Sequence, residues 1–582
     1  MEFQIEYNKN KGEVFKTLDN YNIIYNNQIQ NYMPLYDIFF KLNETNFNSI
    51  NLNTNWSIES FEKRLGHSLF ICKLKNSKNE HTENKKVFIK FSPLLDPTKY
   101  ITGKYELTPQ LFNLPKLNQE AHKKVNNKYN AAYVDSFFSY LSSKILRQHD
   151  VFNALEYYGS YLCNQTDYKV NVYDDVEYLI ESPFFHKNKD KLFKIDDSFY
   201  EELDENESRT NKKKIIIDKN ISLKLNDFED TTVYDELFEK PQNELTVFNL
   251  NKFQEIQETQ LEETEINEEL IDNNNLENIS KIRSNSESES SCSSRTSITN
   301  SDDEDEDLSS LNSSDLSDIN SSDLSEEEEE IFAYIDNFPV NMICLENCSN
   351  TLDDYMINND IENKEWSSIF MQIIFTLLIY QKCFHFTHND LHTNNVMYVE
   401  TDKQHLIYHF DNNYYKIPTY GKIWKIIDFG RAIYKFKGQT IGSDSFAPNG
   451  DAATQYNCEP FFDSDKPRLE PNYSFDLCRF GCSLYDFFIE GDEDEKEMKH
   501  DLLDKLIIDW CTDDNGKNIL YKKNGEERYP DFKLYKMIAR NVHNHTPQNQ
   551  LKRDIFSHFI VSRKKISKNS KILFIDKLPC YV

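Results

Sequence analysis

His388-Asn389-Asp390-Leu391-His392-Thr393-Asn394-Asn395-Val396-Met397-Tyr398 and, a little downstream, Lys425-Ile426-Ile427-Asp428-Phe429-Gly430 are the most informative stretches of this chain. Ahead of the first, Trp366, Ile369, Phe370, Ile373, Ile374, Leu377 and Leu378 recur at helical spacing, so residues 366–384 read as a buried helix. A short strand follows at 396–398, and Asp428 closes a second apolar run. The region thus offers a carboxylate, a carboxamide five residues later, and a second carboxylate behind a strand. A carboxylate can accept the proton of an attacking hydroxyl, and hard oxygen groups can hold Mg²⁺ against phosphates. His388 and His392 also have the spacing of a helical zinc pair, but zinc peptidases place Glu directly after the first His, and Asn389 stands there. An isolated D-F-G is usually just a turn, so the order of the parts carries the reading.

That order resembles the protein-kinase catalytic loop, H-R-D-L-x-x-x-N, followed by a strand and D-F-G. The resemblance implies ATP as cosubstrate, Asp390 and His392 in the catalytic set, and Asn395 and Asp428 as Mg²⁺ ligands. Upstream, Val87-Phe88-Ile89-Lys90 is similar to V-A-I-K, whose Lys contacts the α- and β-phosphates. Gly66 precedes it by 24 residues, where the family has its glycine-rich loop. Ser68 and Ile71 replace the second and third glycines, so the cradle is looser or differently shaped. Gly66, Ser68, Lys90, Asp135, Asn395 and Asp428 form the expected nucleotide-binding set. Asp135, the acid on the amphipathic helix 131–146, either pairs with Lys90 or is solvated; the sequence leaves both open. Asp476 to Gly481 resembles the family's D-x-W-x-x-G helix, with Cys478 for Trp, and implies that Asp476 braces the catalytic loop.

The departures narrow the likeness. His392 stands where most kinases have Lys, as in haspin-like and small-molecule kinases, and 32 residues separate Asn395 from Asp428. The excess reads as a hairpin closed by Asp411-Asn412-Asn413. Asn389 replaces the Arg that grips an activation-loop phosphate, which implies an enzyme active without that modification. The strings AAYVDSFFSYL, THNDLHTNNVMY, KIPTYGKI and KIIDFGRAI resemble the protein kinases of large DNA viruses, including the poxvirus virion-morphogenesis kinase. That likeness implies Ser/Thr (or also Tyr) protein substrates, basic virion proteins among them, and a place in host cytoplasm or virion.

Composition agrees with a sizeable globular part carrying an acidic insert. There are 98 acidic and 66 basic residues, net −32, which disfavours nucleic acid as a partner. The 11 cysteines lack a framework spacing, and Cys478 with Cys482 reads as neighbouring core thiols. No secretory signal is visible, and the most apolar window, 369–380, is about half the length needed for a membrane span. Residues 301–330 hold 14 acids and no base, a composition expected to be disordered. The expected division is an extension at 1–55, a β-rich lobe at 56–180, an acidic, largely disordered insert at 181–332, and a hinge with a helical lobe at 333–582. The fold class expected is α+β, a bilobal protein-kinase-like fold with the insert in or near the first lobe. A Ser/Thr protein kinase is the leading function. A pseudokinase scaffold recruiting basic partners and a small-molecule kinase are the alternatives.

Overall fold

In the computed structural model, strands of the β-rich lobe expected at 56–180 join one antiparallel sheet. Residues 5–8, 18, 21, 23–196, 331–489, 501–530 and 532–582 are described, and all belong to one unit. The bulk of the acidic insert, with the disorder expected of it, lies outside the described residues.

The fold is mixed α/β. Its largest sheet has six strands in the order Ile24–Gln30, Tyr157–Gln165, Phe338–Glu346, Thr82–Pro93, Leu69–Asn76 and Trp56–Arg64. Register pairs Ile343 with Lys90 and Leu69 with Phe88, which puts Val87, Ile89 and Phe91 into the core. The extension expected at 1–55 therefore supplies an edge strand of this sheet. The chain also continues in regular structure past 181. Helix Pro183–Asn188 is followed by strand Lys194–Ile195, which pairs with Phe332–Ile335.

Helix Ala131–His149 packs on the sheet with Val134, Phe137, Phe138, Leu141 and Ile145 buried. The Asn130 side chain accepts from Ala132 N and caps its start, and Asp150, at φ 59°, ends it. Helix Asn363–Phe384 runs through the rest of the core. It starts three residues ahead of the apolar pattern at 366–384, polar Asn363, Lys364 and Glu365 adding a first turn. By length and composition alone it could cross a membrane, yet 94% of its most apolar stretch is buried inside the fold. Phe138 joins the two helices: its ring lies 4.3 Å from Phe386, 4.7 Å from Phe429, 4.8 Å from Tyr434 and 5.1 Å from Tyr380.

Strands His405–Phe410 and Asn413–Pro418 form the expected hairpin, with Asp411 and Asn412 both at positive φ, as a two-residue turn requires. Helices Phe475–Phe488, Leu502–Trp510 and Phe532–Asn541 follow. Cys478, Cys482 and Cys511 share their apolar cluster. Among the described residues no group of three or more potential metal-binding side chains occurs. Tyr581 ties the last residues down. Its N–H donates to Cys383 O at 2.8 Å, its carbonyl accepts from Lys437 N at 2.8 Å, and its hydroxyl lies 2.7 Å from His149 Nε2.

Candidate active site

Strand pairing assembles the site. Val396–Glu400 pairs with Lys422–Ile426, and Ile427 N donates to Asn395 O at 3.0 Å, so Asn395 and Asp428 leave neighbouring strands together. Thr387 and Ile433 exchange two backbone bonds across the start of the loop. Asn389 at φ 65° and Asp428 at φ 58° occupy the left-handed region, which Asn and Asp tolerate better than most residues.

Asp476 fixes the loop from below. Fully buried, it accepts from His388 N and Asn389 N at 2.9 Å each. Burial raises its carboxyl, and the two amides work against that rise. The Asn389 amide donates to Arg431 O at 3.0 Å, while its carbonyl accepts from Tyr456 at 2.8 Å. Asn389 is thus committed to holding the loop. Arg431, the first residue after D-F-G, forms an ion pair with Asp451 and approaches Asp390 Oδ2 at 3.9 Å through Nε.

The strand lysine and the helix acid meet. Lys90 Nζ lies 2.8 Å from Asp135 Oδ2 and 2.8 Å from Asp428 Oδ1, and the other Asp135 oxygen accepts from Phe429 N at 3.0 Å. Lys90 is 8% exposed and Asp135 2%. One ammonium serves two carboxylates. Burial raises the Asp135 carboxyl, with Lys90 opposing and Asp428 adding to the rise. At Asp428 burial works against the charge, but Lys90 outweighs it and holds the carboxyl below its ordinary value.

Asn395 donates from Nδ2 to Asp390 O at 2.9 Å, and the same nitrogen is 3.0 Å from His392 Nε2. Burial depresses His392 to about 4, so at neutral pH the imidazole is uncharged and Nε2 is free to accept. With its nitrogen so occupied, Asn395 presents Oδ1 as the group for a cation. Asn395 Oδ1 and the ionised Asp428 are hard oxygen donors. They fit Mg²⁺, which takes one or two protein oxygens and completes its shell with phosphates and water.

Gly66 and Ser68 form the turn between Trp56–Arg64 and Leu69–Asn76. Leu65 N and Gly66 N both turn inward to Leu69 O, at 2.8 and 3.2 Å, and Ser68 O accepts from Ile89 N at 2.7 Å. The turn therefore lies beside the Lys90 strand, but it spends two amides on itself. Ser68 is 4% exposed.

Two contributors carry no motif for this role. Tyr535, on helix Phe532–Asn541, donates to Asp390 Oδ1 at 2.8 Å, and Arg479 Nε donates to the Tyr535 oxygen at 3.0 Å. Tyr535 is 145 residues from Asp390, and only its place on an apolar helix face marks it.

No family model matches the chain. Over 100 residues it is 29% identical to "Probable kinase 098L" of Invertebrate iridescent virus 3, covering 17% of this chain and 19% of that protein. Over 184 residues it is 26% identical to "Uncharacterized protein 098R" of Invertebrate iridescent virus 6, covering 30% and 27%. The chain spans about a fifth to a quarter of the curated relatives it matches. It is a distant homologue of viral proteins, one of which is named a probable kinase.

Proposed function

We propose that the chain is an ATP-dependent protein kinase that transfers the γ-phosphate to Ser/Thr hydroxyls. The observation that carries this is the union of Lys90, Asp135 and Asp428, from three distant parts of the sequence, in one buried ion cluster. Two elements support a bilobal kinase-like arrangement: the six-stranded sheet with its single long helix, and a remainder whose longest elements are helices. In this reading Lys90 holds the nucleotide phosphates, Asn395 and Asp428 hold Mg²⁺, and the metal would supply charge neutralisation at the phosphates. Asp390 orients the acceptor hydroxyl and takes its proton. Asp476 keeps the loop that carries Asp390 in place, and neutral His392 aims the Asn395 amide.

Basic virion proteins are the proposed substrates, given the acidic chain and the viral relatives. Host cytoplasm or the virion is the proposed location. The test is incubation of the full chain with labelled ATP and Mg²⁺ on itself, on casein and on a basic protein. Label in protein that disappears in Asp390→Asn supports the reading, and no transfer to any acceptor overturns it. One observation favours a pseudokinase scaffold: Asp390 is 3% exposed and already hydrogen-bonded to Tyr535. In that case ATP shifts the melting temperature but no label is transferred.

A further inference from the structure

A substrate hydroxyl on its way to phosphorylation must donate to the carboxylate of the base. Around Asp390 such a donor is already present. The Tyr535 hydroxyl sits 2.8 Å from Oδ1, while Oδ2 faces Arg431. Asp390 is 3% exposed and Tyr535 2%, so a second hydroxyl reaches Oδ1 only when the phenol leaves. The phenol is also held as a ligand would be. Its ring stacks on Phe532 at 5.3 Å, with the Arg431 and Arg479 guanidinium carbons 5.7 and 5.3 Å from its centre.

We propose that Tyr535 is an intrachain occupant of the acceptor position, holding the place of the substrate hydroxyl on Asp390 and withdrawing when a protein substrate docks. The proposal rests on the kinase reading above. Occupancy has a consequence for water, the smallest competing acceptor. When water attacks the γ-phosphorus, its oxygen bonds to phosphorus, the bond to the ADP oxygen breaks, and the water proton passes to the base. A phenol on Oδ1 keeps water from that position, so ATP is not spent between substrates. On withdrawal, Arg431 and Arg479 remain beside Asp390, two cations next to the place where phosphoryl charge develops.

The experiment compares the full chain with Tyr535→Phe, which keeps the ring, and Tyr535→Leu, which opens the space. Phosphate release from ATP and Mg²⁺ is measured without acceptor, and transfer is measured across a casein titration. The proposal expects release without acceptor to rise about tenfold or more in both variants, with KM for casein falling and kcat changing less than about threefold. Adding Asp390→Asn to either variant must remove the gained release. If Tyr535 merely orients Asp390, Tyr535→Phe lowers kcat and release together, and the proposal is overturned with the kinase reading intact. Unchanged release and unchanged KM overturn it equally. Absence of both release and transfer in all forms, with correct folding shown by thermal unfolding, overturns the kinase reading itself.

Discussion

The charges around Lys90 and those around Asp390 are balanced differently. In the first cluster one ammonium serves Asp135 and Asp428, so a negative charge is left over. In the second, Arg431 and Arg479 stand with Asp390 and Asp451, two cations to two carboxylates, and a phenol completes the bonding. Buried charge without compensation is costly, so the Lys90 cluster gains from a cation that comes from outside. The Asp390 cluster is complete as it stands. On the proposed reading, one side receives a cation and the other yields its phenol.

Asp390→Asn breaks the second cluster most severely. It is expected to lower kcat by about 10²–10⁴-fold, because the amide cannot take the hydroxyl proton. The ATP-induced thermal shift should persist, since the Lys90 cluster is untouched. Asp428→Ala does the reverse. It leaves Lys90 and Asp135 as a neutral pair, so the surplus charge proposed to attract Mg²⁺ is gone. Mg²⁺-dependent ATP affinity, read by thermal shift, is expected to fall about 10²-fold. An unchanged shift would mean that the metal is held elsewhere.

Asp476→Asn sharpens the contrast between holding the loop and doing its chemistry. The amide offers one acceptor where the carboxylate offers two, and it leaves His388 N or Asn389 N unpaired. The loss should be about 1.5–3 kcal/mol, seen as a lower denaturant midpoint at unchanged slope. The smallest effect lies at the tail, outside both clusters. Burial lowers the His149 pKa, so below its unfolded value near 6.5 the unfolded chain binds a proton that the folded chain resists. Stability therefore falls as pH drops through that window, and only slightly, because the half-exposed ring is screened by solvent. Between pH 7.5 and 5.5, proteolysis at residues 578–582, corrected for the protease's own pH profile, should accelerate and hydrogen-exchange protection there should fall, and His149→Gln should flatten the dependence.

What the sequence could show follows the same division. That Asp390, Asn395 and Asp428 lie together was legible from short spacings on either side of paired strands, and the place of Lys90 from its position at the end of an apolar strand run. The pairing of Asp135 was not legible, since it depends on how a helix lies across a sheet. The helix 131–146 runs on to His149 because Arg147, Gln148 and His149 are polar and break the apolar period before the backbone ends the helix. Residues 24–30, Ile-Tyr-Asn-Asn-Gln-Ile-Gln, have little strand pattern of their own, and pairing with Tyr157–Gln165 makes them one. Tyr535 reaches Asp390, and Arg479 reaches Tyr535, through long-range folding that no local spacing encodes.

The packing of Phe138 gives the charged site an unexpected dependence on temperature and on silent variation. Phe429 directly follows Asp428, Phe138 lies three residues after Asp135, and their rings are 4.7 Å apart. The separation of the two carboxylates is therefore set by the Lys90 bridge and the bond from Phe429 N to Asp135 together with this dry contact between benzene rings. Such contacts weaken on cooling, when the hydrophobic drive fades. Phe138→Leu, which alters no charge, should detune ATP binding at 4 °C more than at 30 °C.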